Sequence, residues 1–366
     1  MIEFSPTPEQ KMLIEAVHRF AEDQLRAAAH GADEASQPPD EVVARGWELG
    51  IVPGLIPEEF GGYADEQAAV SAVLALEELA WGDMSLALTI WAPSVFALAV
   101  LVSGSESQKQ AFLPRFVDAD RPVMTAAVME PSVTFDVWRP KTTAVQGNGT
   151  YLLNGTKAYV PLAAESERLI VYAADSETGK VDGFIVERDN PGLEILDCEH
   201  LMGIRAFPTY RVRLNDASVN ADARLGEENG TDYAAIVNRS RIALGALAVG
   251  IARASLEYAR DYARERIQFG VPIASKQAVA FKIADMAIEV DAARLLVWEA
   301  AWRIDQGKDL QRYAALVKAQ TQKMSLFVTD AGVQTLGGHG YIREHPVERW
   351  LRNARGISTF EGLALI

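Results

Sequence analysis

The spacing of hydrophobic and polar positions changes its period twice along these 366 residues. After Thr7-Pro8-Glu9-Gln10, the apolar residues Leu13, Val17, Phe20 and Leu25 recur at helical spacing. Thr7 supplies an N-cap, Pro8 suits the first helical position, and Gln10 completes a capping box. The same period predicts helices over 40–49, 66–80 and 85–102, with Ser105-Glu106-Ser107-Gln108 capping another. A breaker-rich loop, Val52-Pro53-Gly54 through Gly61-Gly62, separates the second helix from the third.

At Arg121 the runs become short and rich in β-formers. Strands are predicted at 123–128, 142–146, 151–153, 158–160, 169–173, 183–186 and 210–214, with hairpin turns at Gly147-Asn148-Gly149 and Asn154-Gly155. Seven strands without intervening helices imply an antiparallel sandwich or barrel. From Tyr233 the helical period returns in three long segments, to about Arg266, over 276–306 and over 309–336, with a break at Gln268–Pro272. Gly245 and Gly250 within the first of these allow a close helix neighbour. The expected fold class is therefore α+β and multi-domain. It has an N-terminal helical domain (1–120), a middle antiparallel β-domain (121–232) and a C-terminal four-helix-type bundle (233–366).

Composition narrows the function. A formal net charge of −15 argues against nucleic acid or an anionic membrane as partner. The single cysteine, Cys198, leaves no intrachain disulfide. The most apolar stretch, 86–102, contains Pro93 and reads as a buried core helix; no run is expected to span a bilayer, and a cytoplasmic location is expected. The five histidines include no i, i+4 pair, there is no cysteine cluster, and no Gly-x-Ser-x-Gly elbow is present, so metal and serine-nucleophile chemistry lack support. Gly337-Gly338-His339-Gly340 follows a helix, not a strand. It reads equally as a helix C-cap with a turn or as backbone amides offered to a phosphate. The last candidate is Glu361, a lone carboxylate between apolar residues in Gly356–Leu363, with Gly362 behind it where a substrate carbonyl can approach. Apolar burial disfavours a charged carboxylate, and a carboxylate tuned in this way suits general-base chemistry near neutral pH.

Several stretches in order carry a family pattern: Glu130-Pro131, Leu153-Asn154-Gly155-Thr156-Lys157, Met202-Gly203-Ile204-Arg205-Ala206, Ala263 through Ile273, Lys282-Ile283-Ala284-Asp285-Met286, Gln334 through Gly340, Pro346-Val347-Glu348-Arg349 and Phe360-Glu361-Gly362. With them the sequence resembles the acyl-CoA dehydrogenase family over nearly its whole length. The resemblance implies a flavoenzyme in which a glutamate removes the α-proton of an acyl-CoA thioester, or of a carrier-bound one. The β-hydrogen leaves as hydride to flavin N5, giving the trans-2-enoyl thioester, and electron-transfer flavoprotein accepts the electrons. Glu361 falls on the commonest base position; Ser240 stands at the alternative one. The backbone N–H of Glu361 is expected to help stabilise the enolate.

By the same resemblance, Arg266, Gln268 and Phe269 contact the FAD diphosphate and adenine of a neighbouring subunit, as do Gln334, Gly337 and Gly338. Ala127, Val128, Met129, Phe135, Tyr159 and Pro161 match flavin-contacting positions, and Asn238, Arg241 and Gly362 match the substrate side. The expected assembly is a homotetramer or homodimer.

The departures from the family gather at the flavin's redox end. Met129 stands where a hydroxyl residue bonds the ring, Phe135 where a serine contacts phosphate, Pro161 where a threonine donates, and Leu363-Ala364 where Thr-Ser follows the base. They keep two other readings open: a flavin-poor subunit of a heteromeric dehydrogenase, and a flavin-independent lyase or isomerase using Glu361.

Overall fold

The computed structural model describes residues 5–118 and 120–366. The helical segment opens with α1 (Pro8–Phe20), capped by Thr7 and Gln10 in the predicted box. One π-helical turn carries it into α2 (Ala27–Ala35). After α3 (Asp40–Trp47) come α4 (Ala68–Gly82), α5 (Met84–Trp91) and α6 (Ser94–Ser103). The single helix expected over 85–102 is thus two helices, bent by 48° at Ala92-Pro93. Proline lacks the N–H that an unbroken helix needs there. α7 (Glu106–Phe112) starts at Ser105, with Gln108 closing its capping box.

The β-domain is a single seven-stranded sheet: β1 (Met124–Ala127), β2 (Thr143–Gln146), β3 (Thr150–Pro161), β4 (Arg168–Asp175), β5 (Val181–Glu187), β6 (Leu193–Cys198) and β7 (Thr209–Asn220). Its order is β1-β4-β2-β3-β7-β6, with β5 also on β4. The sheet is mixed rather than antiparallel throughout. β4 pairs parallel with β1 (Thr125 opposite Leu169) and with the start of β2, because the chain returns to β4 only after the β2–β3 hairpin. Asn154-Gly155 is not a turn but a bulge inside the long strand β3. Asn154 is cross-braced to Asp216 of β7 by two hydrogen bonds of 2.9 Å, and any side chain at Gly155 would run into Thr142. Alternation splits the sheet's two faces. Met124, Ala126, Val128, Ile170 and Tyr172 join the helical core, while Ala127, Leu153, Leu169, Val171 and Val212 form a second, smaller core.

The bundle consists of α8 (Tyr233–Glu265), α9 (Gln277–Asp305) and α10 (Gln311–Leu336), followed by the short α11 (Gly338–Tyr341) and α12 (Val347–Arg355). The break after α8 holds a two-residue-per-strand hairpin, β8 (Ile267–Gln268) and β9 (Val271–Pro272). By length and composition alone α8 is long and apolar enough to cross a membrane, yet 78% of its most apolar window is buried in protein. It is the axial helix of the bundle. At Gly245 a side chain would meet Val317 of α10, and at Gly250 the carbonyl of Glu77 in α4, so both glycines permit close helix packing. A buried ionic network ties α8 to α1, α4 and α9. Arg253 bonds Glu77 and Glu78, His18 approaches Glu78 at 2.7 Å, and Arg294 pairs with Glu77.

Candidate active site

Three elements converge on Glu361. The turn Gly356–Ser358 and Thr359 bring the chain off α12 and drop Glu361 against α8 and α10. The residue is 8% exposed. Its surroundings are not the apolar cage expected from its sequence neighbours. Arg241 of α8 donates to the carboxylate through Nη2 at 2.9 Å and through Nε at 3.2 Å to each oxygen. Lys318 of α10 lies 3.8 Å from Oε1. Burial pushes the Lys318 ammonium below its ordinary range, Glu361 opposes that, and Arg241 adds to it.

The main chain around Glu361 is pinned. Its N–H, expected to face an enolate, points to Sδ of Met129 at 3.4 Å. The N–H of Gly362 donates to Oγ of Ser240 at 2.9 Å, which gives that residue a part in the site as an anchor. Gly362 has φ +72°, and a side chain there would collide with Val128. The glycine is therefore required by its backbone angle and by Val128 packing, ahead of any substrate contact. The residues that follow are buried: Ser94 Oγ accepts from the Leu365 N–H, Trp91 Nε1 donates to the Leu365 carbonyl, and Arg239 donates to the Ile366 carbonyl.

Beside the turn lie the residues expected at the flavin ring. Ala127 ends β1, and Val128 and Met129 follow it, all buried. The carbonyl of Val128 accepts from Lys157 at 3.2 Å, and that of Met129 accepts from the Ala158 N–H at 2.9 Å. Lys157 is fully buried and also bonds Glu130 at 3.1 Å, while Thr142 and the Lys141 N–H complete the ring around that carboxylate. Burial pushes the Lys157 ammonium down to about 8, against the pull of Glu130. Tyr159, at φ +54°, lies edge-on to Phe360 at 6.0 Å between centroids. Pro161 is buried at the end of β3, and Phe135 packs part-buried on the helical core. Between Tyr159, Gly203, Ile204, Asn353 and Phe360 runs a cleft of about 160 Å³.

Asn238, one turn before Arg241, is buried, with Oδ1 unpartnered among the described residues. Trp138, from the loop before β2, lies over the Arg241 guanidinium at 5.4 Å.

The remaining expected residues are elsewhere. Arg266 ends α8, and Gln268 and Phe269 sit in the exposed hairpin. Gln334, Gly337 and Gly338 are exposed at the end of α10. Both groups lie at one end of the bundle, joined by a 2.9 Å hydrogen bond between Tyr262 and His339. Twenty-five residues of α8 separate Arg241 from Arg266, about 37 Å at the helical rise. This end of the bundle and the Arg241–Glu361 site therefore cannot serve one reacting centre within a single chain.

Sequence profiles identify the architecture. The acyl-CoA dehydrogenase N-terminal, middle and C-terminal domains match residues 7–120, 125–217 and 230–364. An acyl-CoA dehydrogenase of Bacillus subtilis is 32% identical over 362 residues, covering 97% of this chain and 95% of its own length. The structure of butyryl-CoA dehydrogenase from Megasphaera elsdenii superposes with a TM-score of 0.90 at 32% identity, over 98% of this chain and 96% of that one. An FAD complex of PigA gives a TM-score of 0.89 at 26% identity, over 98% and 95%. The fold is that of an FAD-dependent oxidoreductase. The chain belongs to the acyl-CoA dehydrogenase family.

FAD is the family's cofactor, and the residues present fit it unevenly. At the bundle's end, Arg266, Gln268 and Gln334 are exposed, and among the described residues nothing beyond the local chain lies within 4 Å of the side-chain positions of Gly337 and Gly338. That open main chain suits a diphosphate. At the ring end, Met129 holds the Glu361 amide, and the cleft of about 160 Å³ falls short of the roughly 300–1,000 Å³ usual for a cofactor site.

Proposed function

We propose that this chain catalyses α,β-dehydrogenation of an acyl-CoA thioester, with Glu361 as the base that takes the α-proton. The observation that carries this reading is the burial of Glu361 on a turn whose main chain is fixed by Met129 and Ser240. A base held in this way loses little freedom on reaction. FAD, when bound, supplies the hydride acceptor. For its own part the chain must loosen Arg241 from Glu361, admit the thioester past Trp138, and keep the turn in place as Glu361 goes from carboxylate to carboxylic acid. Gly362 and Asn238 flank the space the thioester needs.

Electron-transfer flavoprotein is the proposed acceptor and a second copy of this chain the proposed partner. Phe281, Ile288 and Leu295 form an outward stripe on α9 at seven-residue spacing, and Phe327 of the neighbouring α10 is exposed as well. Exposed apolar rows of this kind favour self-association. The distance between Arg266 and Arg241 supports the same arrangement, with each bundle end serving a neighbour's flavin.

Turnover of a series of acyl-CoAs by the FAD-loaded protein, with and without electron-transfer flavoprotein, tests the proposal. No reduction of FAD by any thioester would overturn it. Met129 on the base loop favours one second reading, a flavin-poor subunit of a heteromer. A flavin-to-chain ratio near one in a pure homo-oligomer would exclude it.

A further inference from the structure

Lys318 takes no part in the reading above beyond its charge, yet it is the most constrained cation at the site. It lies on the core-facing stripe of α10, between Ala314 and Thr321, where a lysine must be desolvated. Its Nζ donates to the carbonyl of Ile357 at 3.0 Å and to the carbonyl of Phe360. Ile357 lies in the turn that leads to the base, and Phe360 is the residue immediately before it. The same ammonium stands 3.8 Å from Glu361 Oε1.

Arg241 differs in kind. Among the described residues its hydrogen bonds all go to the Glu361 carboxylate, and none goes to the main chain. An arginine held in this way can withdraw when a substrate arrives. Lys318 cannot, because two carbonyls hold it whatever Glu361 does.

We infer that Lys318 is a positioning residue: it clamps the backbone that carries Glu361 and keeps one fixed positive charge beside the carboxylate through the reaction. This rests on Glu361 being the base. When the α-proton passes to a Glu361 oxygen, the carboxylate charge vanishes and its attraction for both cations falls. A lysine held by that carboxylate alone would swing away and release the turn. One held by the Ile357 and Phe360 carbonyls stays, so the turn keeps its geometry until the proton leaves. Small displacements of a reacting group are costly to rate, which is why the clamp matters.

The test compares Lys318→Met, Lys318→Gln and Lys318→Arg with Glu361→Gln, all FAD-loaded, reading kcat and KM separately, the pH profile of kcat, and exchange of the substrate α-hydrogen for deuterium. Lys318→Met is expected to lower kcat about 10- to 100-fold with KM little changed, and to move the acid limb of the profile upward by about one pH unit, since a cation within reach of a carboxylate is gone. Lys318→Gln keeps a donor for the carbonyls but no charge; it is expected to move the limb while losing less kcat, and it decides the matter if Lys318→Met does not fold. Lys318→Arg is expected to leave the limb in place. Parental kcat with an unmoved limb in Lys318→Met, or in Lys318→Gln where only that variant folds, would overturn the inference. Undiminished turnover and exchange in Glu361→Gln would instead overturn the base assignment, whatever the Lys318 variants do.

Discussion

Arg241 and Glu361, 120 positions apart in sequence, form a forked ion pair in which Nη2 lies 2.9 Å from one carboxylate oxygen and Nε 3.2 Å from both. Both side chains are largely withdrawn from water. The pair stores the candidate base in an occupied state, and catalysis requires it to open. Glu361→Gln keeps the shape and removes the base. It is expected to lower kcat about 10²- to 10⁴-fold while leaving the flavin content of the purified protein unchanged. Stopped-flow flavin reduction with an active acyl-CoA checks both.

Arg241→Gln breaks the pair and leaves a buried carboxylate with Lys318 as its only cation among the described residues. Breaking a buried pair costs about 3–5 kcal/mol. The remaining lysine places this one near the lower figure. Urea unfolding of the parent and the variant measures it; a loss below about 1 kcal/mol would show that the fork behaves like a surface pair.

The Gly362 N–H is buried and has Ser240 Oγ as its acceptor. Ser240→Ala leaves that donor unsatisfied and is expected to cost about 1–3 kcal/mol. Gly362→Ala is expected to cost at least as much, through the left-handed backbone and the collision with Val128. Thermal melts read both, and the glycine variant should also lose turnover because the strain falls next to Glu361.

Lys157 sets a pH dependence of stability. Burial lowers its folded value to about 8, against 10.5 for the free side chain. Between those values the unfolded chain holds a proton that the folded chain has released, so this group makes stability rise with pH from about 8 to about 10.5, and it has no pH-dependent effect well below 8. Denaturant midpoints from pH 7 to 10.5 should show the rise, and Lys157→Met should abolish it. That variant is also expected to lose about 3–5 kcal/mol by stranding Glu130.

Met129, at the position proposed for a flavin-bonding hydroxyl, takes the Glu361 amide. Met129→Thr is expected to tighten FAD by about 0.5–1.5 kcal/mol, a factor of roughly two to ten in Kd, readable by fluorescence titration of the apo-protein. An unchanged or weaker Kd would mean that the thioether does not restrict the flavin site.

What the sequence determined by itself was local. The boxes at Thr7–Gln10 and Ser105–Gln108 form as expected, because a cap and its partner lie only three residues apart, although Gln10 also reaches Gln67 and Gln108 also reaches the carbonyls of Asp222 and Arg224. The helical, β and helical order and the family follow from the period of apolar positions and from motifs in sequence. Lys318 left a signal that passed unread, a lysine on the apolar stripe of a long helix. Tertiary structure decided the rest. β6 stayed hidden because Leu193–Cys198 has little alternation and owes its pairing to β7. Asn154-Gly155 carries turn chemistry but lies in a strand, since Asp216 on β7 takes up the asparagine. The apolar neighbours of Glu361 along the chain gave no warning of Arg241 and Lys318, which reach it from helices 120 and 43 positions away. A residue's electrostatic surroundings are set by what packs against it across the fold, and the charges that frame this carboxylate meet only when α8, α10 and the last turn close on one another.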